Sequence, residues 1–203
     1  MEKRLKRSNK LNYTAKRLFD ILGSSLGLFI LSPLLVVVIL LIKTTMPGPI
    51  FFKQLRVGRN KKVFNILKFR TMKVDKEAEK ESDFTKDFQR ITSLGRLLRR
   101  TKIDELPQLL NVFLGDMSLV GPRPTIESQV NEYTEYQMQR ITMRPGMTGL
   151  AQINGNVLLS WEKRIEYDVK YIENFTFFLD IMILVKTIAI VLFGEEKFVN
   201  RKI

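Results

Sequence analysis

The chain contains no cysteine and no histidine among its 203 residues, and its 21 acidic side chains are outnumbered by 34 Lys and Arg. Without Cys and His there is no disulfide, no Cys or His zinc site, no Ser-His-Asp or Cys-His nucleophile and no imidazole base. Chemistry is left to carboxylates, Lys, Arg, hydroxyls or a metal held by oxygen ligands. The absence of cysteine is compatible with a cytosolic face. The deficit of acids leaves a net charge of +13, which seeks an anionic partner such as nucleic acid, phosphate or a lipid surface. The length suits one domain of ordinary size rather than two large ones.

One stretch lacks charge altogether. Ile21 to Ile42 are 22 uncharged residues, which as a straight helix reach about 33 Å, just enough to cross a bilayer. The run is too long for a cleavable signal peptide, and no small-residue cleavage site follows it. Residues 1–20 carry seven basic groups against Glu2 and Asp20, while residues 43–73 carry nine and no acid. Cytoplasmic flanks collect Lys and Arg, so both ends read as lying inside. Ser32-Pro33 sits at the middle, where proline removes the donor to the Phe29 carbonyl and the serine hydroxyl can bond a freed carbonyl. Charge and periodicity leave two arrangements open: a bent, re-entrant helix returning to its own side, and a single-pass helix with a tolerated proline.

Beyond the punctuation of Pro47-Gly48-Pro49, Ile50-Phe51-Phe52 and Val63 to Leu67 flank Gly58-Arg59-Asn60 in a β-hairpin pattern. Residues 75–90 mix acids and bases and read as a solvated helix or loop without assigned function. Leu106, Leu109, Leu110 and Phe113 recur at helical spacing within Thr101 to Leu114, and Pro107, acceptable only in a first turn, starts that helix near Asp104. A second helix is expected over 125–140. Ser160 can cap a helix from Trp161 to about Asn174, with Trp161, Ile165, Val169 and Ile172 on one stripe. Phe175 to Phe193 is mostly apolar but contains Asp180 and Lys186, which suits an interfacial or core helix better than a second crossing.

Asp104-Glu105 is an adjacent acid pair at the start of the most convincing amphipathic helix. Helix amides and dipole favour anions there, so a carboxylate is expected to stay ionised and a phosphate can dock beside it. An ionised Asp is a competent nucleophile toward phosphorus, whereas the plainer reading is a helix cap. Around the pair stands a basic set: Lys68 and Arg70, then Arg96, Arg99 and Arg100, then Arg123 between two prolines, and Arg144 before Pro-Gly. Arginine forks bind phosphate oxygens bidentately, and such a collection suits a pyrophosphate. Taken singly, each is equally a solvated charge or a lipid head-group contact. Magnesium (Mg2+) would complete the site, since it accepts carboxylates and substrate phosphate oxygens without histidine.

Five runs occur in order: Lys68-Phe69-Arg70-Thr71-Met72; Asp104-Glu105-Leu106-Pro107-Gln108-Leu109-Leu110-Asn111-Val112 with Gly115-Asp116-Met117-Ser118; Val120-Gly121-Pro122-Arg123-Pro124; Arg144-Pro145-Gly146-Met147-Thr148-Gly149; and Gln152-Ile153-Asn154-Gly155. Together they resemble the bacterial sugar transferase family, the monotopic phosphoglycosyl transferases that start glycan assembly on polyprenol phosphate. The likeness runs from Lys16-Arg17-Leu18-Phe19-Asp20 to the Trp161 helix. It implies transfer of a sugar 1-phosphate from a UDP-sugar to undecaprenyl phosphate with release of UMP. It further implies that Asp104 attacks the β-phosphorus to form a covalent phosphosugar, that Glu105 assists, and that Mg2+, held at Asp104 and Glu105, neutralises the diphosphate. Lys68, Arg99, Arg123 and Arg144 become phosphate or nucleotide ligands. Ser32-Pro33 becomes the break of a re-entrant helix, and the chain resembles the family's minimal catalytic form.

The expected architecture is therefore α/β but mostly helical. A basic N-terminus and re-entrant membrane helix occupy residues 1–43, and a cytosolic catalytic domain with a short hairpin occupies 44–174. A C-terminal apolar or interfacial helix and tail fill 175–203. The expected place is the cytoplasmic face of a bacterial inner membrane, with no nucleic-acid partner and with a homo-oligomer compatible. Two other readings remain: direct glycosyl transfer, which releases UDP instead of UMP, and a membrane-anchored basic binder of anionic lipid or nucleic acid, which has no zinc spacing or RNA-binding signature to support it.

Overall fold

The computed structural model describes the backbone of residues 2–74 and 90–194 and the side chains of 12–74 and 90–194, so the solvated stretch expected at 75–90 lies almost wholly outside the described residues. The fold is mostly helical with a small sheet region. Its first helix, α1 (Glu2–Thr45), continues through Pro33. The carbonyl of Phe29, which Pro33 cannot serve, accepts instead from Ser32 Oγ at 2.8 Å.

Two stripes of α1, each repeating every four residues, dock on the rest of the chain. Lys16, Asp20 and Ser24 form a buried polar stripe, and Val38 and Ile42, continued by Met46 just past the helix end, a buried apolar one. Between them Leu26, Ile30 and Phe29, the last 79% exposed, project from the body. The apolar stripe packs on Phe69 and Leu98. The polar stripe is fastened by specific bonds. Asp20 Oδ1 accepts from Ser118 Oγ and the Leu119 amide, both at 2.9 Å, and Lys16 Nζ donates to Asp180 Oδ2 at 2.6 Å and to the Val120 carbonyl at 2.8 Å.

Strands β1 (Phe51–Val57) and β2 (Val63–Phe69) pair antiparallel, from Phe51 opposite Phe69 to Val57 opposite Val63, as the hairpin pattern predicts. Helix α2 (Ser93–Arg100) follows, capped by Thr92. The helix expected from Asp104 to Leu114 divides in two: a 3-10 turn over Ile103–Glu105, then α3 (Gln108–Leu114). Pro107 has no N–H to extend a helix backwards, and it stands as the cap of α3.

Strand β3 (Ser118–Val120) pairs in parallel with β4 (Gly146–Thr148). The single helix expected over 125–140 is instead α4 (Glu127–Asn131), α5 (Glu135–Met138) and a 3-10 turn, Gln139–Thr142. Thr134 and Gln137 form a capping box that starts a new helix where one helix had been expected to continue. Helix α6 (Trp161–Glu173) begins at the Ser160 cap, as expected, and buries Ile165 and Val169. Helix α7 (Phe177–Phe193) carries Asp180 into the interior, where it meets Lys16 and accepts from Tyr171 Oη at 2.7 Å. That buried pair is why one acid is tolerated in so apolar a helix. Val120, Met143, Ile153, Tyr171 and Ile183 form the core beneath it.

Removing one member of the Lys16–Asp180 pair leaves the other charge buried alone. Asp180→Ala is expected to cost about 3–5 kcal/mol, and the double substitution Lys16→Met with Asp180→Leu to restore most of it. Thermal unfolding of the detergent-solubilised variants checks both.

Candidate active site

Asp104 and Glu105 lie on the 3-10 turn between α2 and α3. The preceding Lys102 adopts a left-handed conformation, φ 60°, which costs a non-glycine residue roughly 1–2 kcal/mol. This reversal ends the α2 path and turns both carboxylates toward the hairpin. The helix and hairpin are held in register by Asn111. Its Nδ2 donates to the Asn65 carbonyl at 2.8 Å and its Oδ1 accepts from the Leu67 amide at 3.0 Å, satisfying the edge of β2 that β1 does not cover. In that register Lys68 Nζ meets Glu105 Oε1 at 2.6 Å.

Arg99 reaches the same place from α2, its Nε donating to Thr71 Oγ1 at 2.9 Å. One turn earlier, Gly95 rests on the Thr71 backbone so closely that a Cβ there would lie 1.9 Å from the Thr71 carbonyl oxygen. Arg123 is fixed between prolines, and its carbonyl accepts from Arg140 Nη2 at 3.4 Å. Arg140 is itself buried, ion-paired to Asp168 at 2.7 Å and stacked over Trp161 at 5.1 Å. Burial raises the Asp168 carboxyl to about 6 despite that partner.

Three clefts meet at this turn. The first, about 320 Å³, is lined by Lys68, Arg70, Thr71, Arg99, Lys102 and both acids. The second, about 160 Å³, is strongly basic, with Arg56, Lys68, Arg123, Arg140 and Arg164 around Glu105. The third, about 260 Å³, is walled mainly by apolar side chains and has Lys102, Glu105 and Arg123 among its lining. Glu105 borders all three. Arg70 Nε and Nη1, Arg56 Nε and both amide atoms of Gln152 are buried with no hydrogen-bond partner among the described residues. Arg70 lines the first cleft, Arg56 the second, and Gln152 the second and third. Buried donors left unpaired are costly and mark places where a polar ligand completes the bonding.

The two acids are not equivalent. Burial and the adjacent Glu105 carboxylate push Asp104 above the usual carboxylate range, against the pull of Lys68, Arg99 and Lys102. Burial acts upward on Glu105 too, but the Lys68 charge and hydrogen bond, with Arg123 and Lys102, hold it below its ordinary value. The expectation that a helix N-terminus keeps a carboxylate of this pair ionised is corrected in its cause: Lys68 does so for Glu105. The helix starts only at Gln108, and desolvation governs Asp104.

Of the residues picked from sequence, Asp104, Glu105, Lys68 and Arg99 share the first cleft, and Arg123 joins Glu105 in the other two. Arg144 lines none of the three. It donates Nε to the Gly115 carbonyl at 2.8 Å and lines a separate hollow with Arg59, Lys62 and Asp116. Ser32 and Pro33 lie on the exposed middle of α1. Sequence reasoning passed over Lys102, Arg56 and Gln152. Gln152 was visible in a motif, but nothing local says that its amide is buried unpaired.

As to metal, no group of three or more His, Cys, Asp or Glu suited to holding an ion occurs among the described residues. The donor set therefore fits magnesium only as an ion shared with substrate, using one or two of these adjacent carboxylates together with phosphate oxygens.

An acid dyad ringed by cations, with unpaired buried donors on the cleft walls, is suited to a phosphate-bearing ligand. The chain belongs to the bacterial sugar transferase family, whose model matches residues 11–194. It is 46% identical over 180 residues to an uncharacterized sugar transferase, EpsL, of Bacillus subtilis, covering 89% of this chain and 88% of that one. It is 44% identical over 188 residues to a UDP-glucose:undecaprenyl-phosphate glucose-1-phosphate transferase of Klebsiella pneumoniae, covering 89% of this chain and spanning 40% of that protein's length. The exopolysaccharide production protein ExoY of Rhizobium meliloti is 38% identical over 192 residues, with 87% and 85% covered.

Two outcomes are expected. Carboxyl NMR titration places Asp104 above and Glu105 below ordinary carboxylate values, and Lys68→Met, by removing a charge that lowers both, moves both upward. Gly95→Ala forces α2 off the Thr71 backbone, lowering the unfolding midpoint by several degrees and withdrawing Arg99 from the cleft. A crystal structure or Arg99 side-chain NMR of the variant reads that displacement.

Proposed function

We propose that this protein transfers a sugar 1-phosphate from a UDP-sugar to undecaprenyl phosphate, releasing UMP, at the cytoplasmic face of a bacterial membrane during polysaccharide biosynthesis. The observation that carries the reading is the placing of Glu105 where two cationic clefts and one apolar cleft meet, with Asp104 next to it on the wall of the first. One substrate of such a reaction is a soluble diphosphate and the other a lipid monophosphate, and the site offers surfaces for both. The family and the Klebsiella relative's name agree with it.

In this mechanism a carboxylate oxygen of Asp104 attacks the β-phosphorus, the bond from that phosphorus to the bridging oxygen breaks, and UMP departs with the electron pair. The phosphosugar is left on Asp104 as an acyl phosphate. A phosphate oxygen of the lipid then attacks the same phosphorus and releases the Asp104 carboxylate. Phosphoryl transfer of this kind depends on positioning and charge stabilisation more than on a strong base, which suits a chain without histidine. The raised proton affinity of Asp104 fits a carboxylate that is desolvated and therefore more nucleophilic once ionised. Glu105, held ionised by Lys68, keeps that ammonium in place beside the phosphates. Arg99 and Arg123 bind phosphate oxygens, and Arg70 and Arg56 supply the unpaired donors. Asp104 or Glu105, together with the diphosphate oxygens, would hold Mg2+, which would supply charge neutralisation there.

Membrane attachment follows from α1. Asn12–Thr45 contains the one described helix apolar and long enough to cross a bilayer. Both of its buried stripes dock on the same body while its middle projects, which supports a re-entrant, monotopic insertion with both ends on one face. The basic flanks point the same way.

Asp104→Asn is expected to lower UMP release by at least roughly a thousandfold with the fold retained. A phosphosugar adduct should map by mass spectrometry to Asp104 of the wild type. Since Asp104 must be ionised to attack, the rate falls as pH drops through its raised pKa, and Lys68→Met shifts that acid limb to higher pH. Release of UDP in place of UMP means direct glycosyl transfer, and near-normal turnover by Asp104→Asn rejects the covalent route.

A further inference from the structure

The third cleft differs from the other two in being walled mainly by apolar side chains. Its walls are Leu106, Leu109, Leu119, Leu184, Ile190 and Val191. The polar wall atoms of Thr148 and Thr187 satisfy one another at 2.7 Å, so they ask nothing of a ligand. Lys102, Glu105 and Arg123 are also part of its lining, and Gln152 adds a buried amide with neither atom paired. Val191, 52% exposed, continues the wall onto the bare apolar face of α7 with Ile188 and Leu192.

The inner wall also leads back to the membrane helix. A Cβ on Gly27 would touch Leu109 Cδ1 at 3.3 Å, and one on Gly23 would press Leu119 Cδ1 at 2.8 Å. Two of the leucines that line the cleft therefore have their backs against the lipid-inserting part of α1. The cavity is apolar where it meets the helices that face lipid and cationic where it meets the dyad.

We propose that this cleft holds the phosphate-proximal isoprene units of the polyprenyl phosphate acceptor, with Lys102, Arg123 and the Gln152 amide holding its phosphate beside Asp104. This rests on the proposed function and adds the acceptor's place. A cavity of 150 Å³ accommodates benzene, so about 260 Å³ takes roughly ten carbons, or about two isoprene units. The rest of the chain lies along the exposed apolar faces of α7 and α1. A nucleotide or sugar is a poorer occupant, because most of its hydroxyls and ring nitrogens would face leucine, isoleucine and valine side chains that offer no hydrogen bond. In this arrangement α7 is the acceptor-recognition element. Entry from the bilayer and attack at Asp104 then occur without the lipid phosphate leaving the head-group plane.

The test uses the full-length protein in nanodiscs with a polyprenyl phosphate carrying a diazirine on its second isoprene unit. Photolabelling is expected at Leu184, Ile190 or Val191, and excess geranyl phosphate, two isoprene units long, suppresses it while inorganic phosphate at the same concentration does not. Val191→Trp narrows the cleft without entering the core and is expected to raise KM for the lipid about tenfold or more, with KM for the UDP-sugar unchanged. Leu55→Trp, at an exposed position of the hairpin that lines none of the three clefts, leaves both at the wild-type value. Label confined to the Phe29–Ile30 region of α1, or equal competition by inorganic phosphate, overturns the assignment. So does an unaltered lipid KM in Val191→Trp. Failure of the underlying function reads differently: the wild type would then release no UMP from any UDP-sugar, whether or not lipid is labelled.

Discussion

The buried charge pair between Lys16 on α1 and Asp180 on α7 is the constraint on which the placement of the rest depends. Neither side chain reaches solvent appreciably, and each carries a further bond, Lys16 donating to the Val120 carbonyl and Asp180 accepting from the Tyr171 hydroxyl. A charge so far from water is tolerable only with its partner in place. The pair therefore sets the height of α7 against α1. Four residues along, Asp20 anchors β3 by two bonds from one carboxylate oxygen, and β3 carries the chain directly into the Arg123 loop. The long apolar helix and the Arg123 loop are thus parts of one connected arrangement.

The same logic of paired burial repeats around the dyad, and it separates two adjacent carboxylates into different roles. Glu105 is paired with Lys68 and kept ionised, while Asp104, without a hydrogen-bonded cation of its own, bears the cost of burial. Arg123 owes its place to two prolines and to the hidden Arg140–Asp168 pair, so its guanidinium is free for other work. What is left unpaired in this region is equally informative. Arg56, Arg70 and Gln152 keep buried polar atoms without protein partners, all on cleft walls. Polar atoms are costly to bury in this state, so these walls are where a polar ligand would be accommodated.

Several elements were legible from residues alone because their cause is local. The hairpin follows from alternating apolar residues on either side of a glycine-containing turn, and α6 from a serine cap and a stripe of four-residue spacing. The bond from Ser32 to the Phe29 carbonyl follows from the geometry of proline in a helix. Other readings failed where a local signal competes with its neighbours. The leucine spacing of 106–113 suggested one helix from Asp104, yet Lys102 turns left-handed and Pro107 caps, so the acids fall on a separate turn. Thr134 and Gln137 were a legible capping box within the helix expected over 125–140. Arg144 resembled Arg123 in its setting beside proline, but it faces the Gly115 carbonyl in a different hollow.

By itself, the sequence determined the chemical vocabulary: no imidazole or thiol, a surplus of cations, one uncharged run bounded by basic flanks, and an acid pair among arginines. Those are properties of composition and order, and no folding alters them. Tertiary structure alone decided which cations reach the acids, which carboxylate is desolvated and where three clefts converge. Proton affinity and cleft shape arise from distance and the exclusion of water, and both are set by residues as far apart in the chain as Lys68 and Glu105, or Leu109 and Val191.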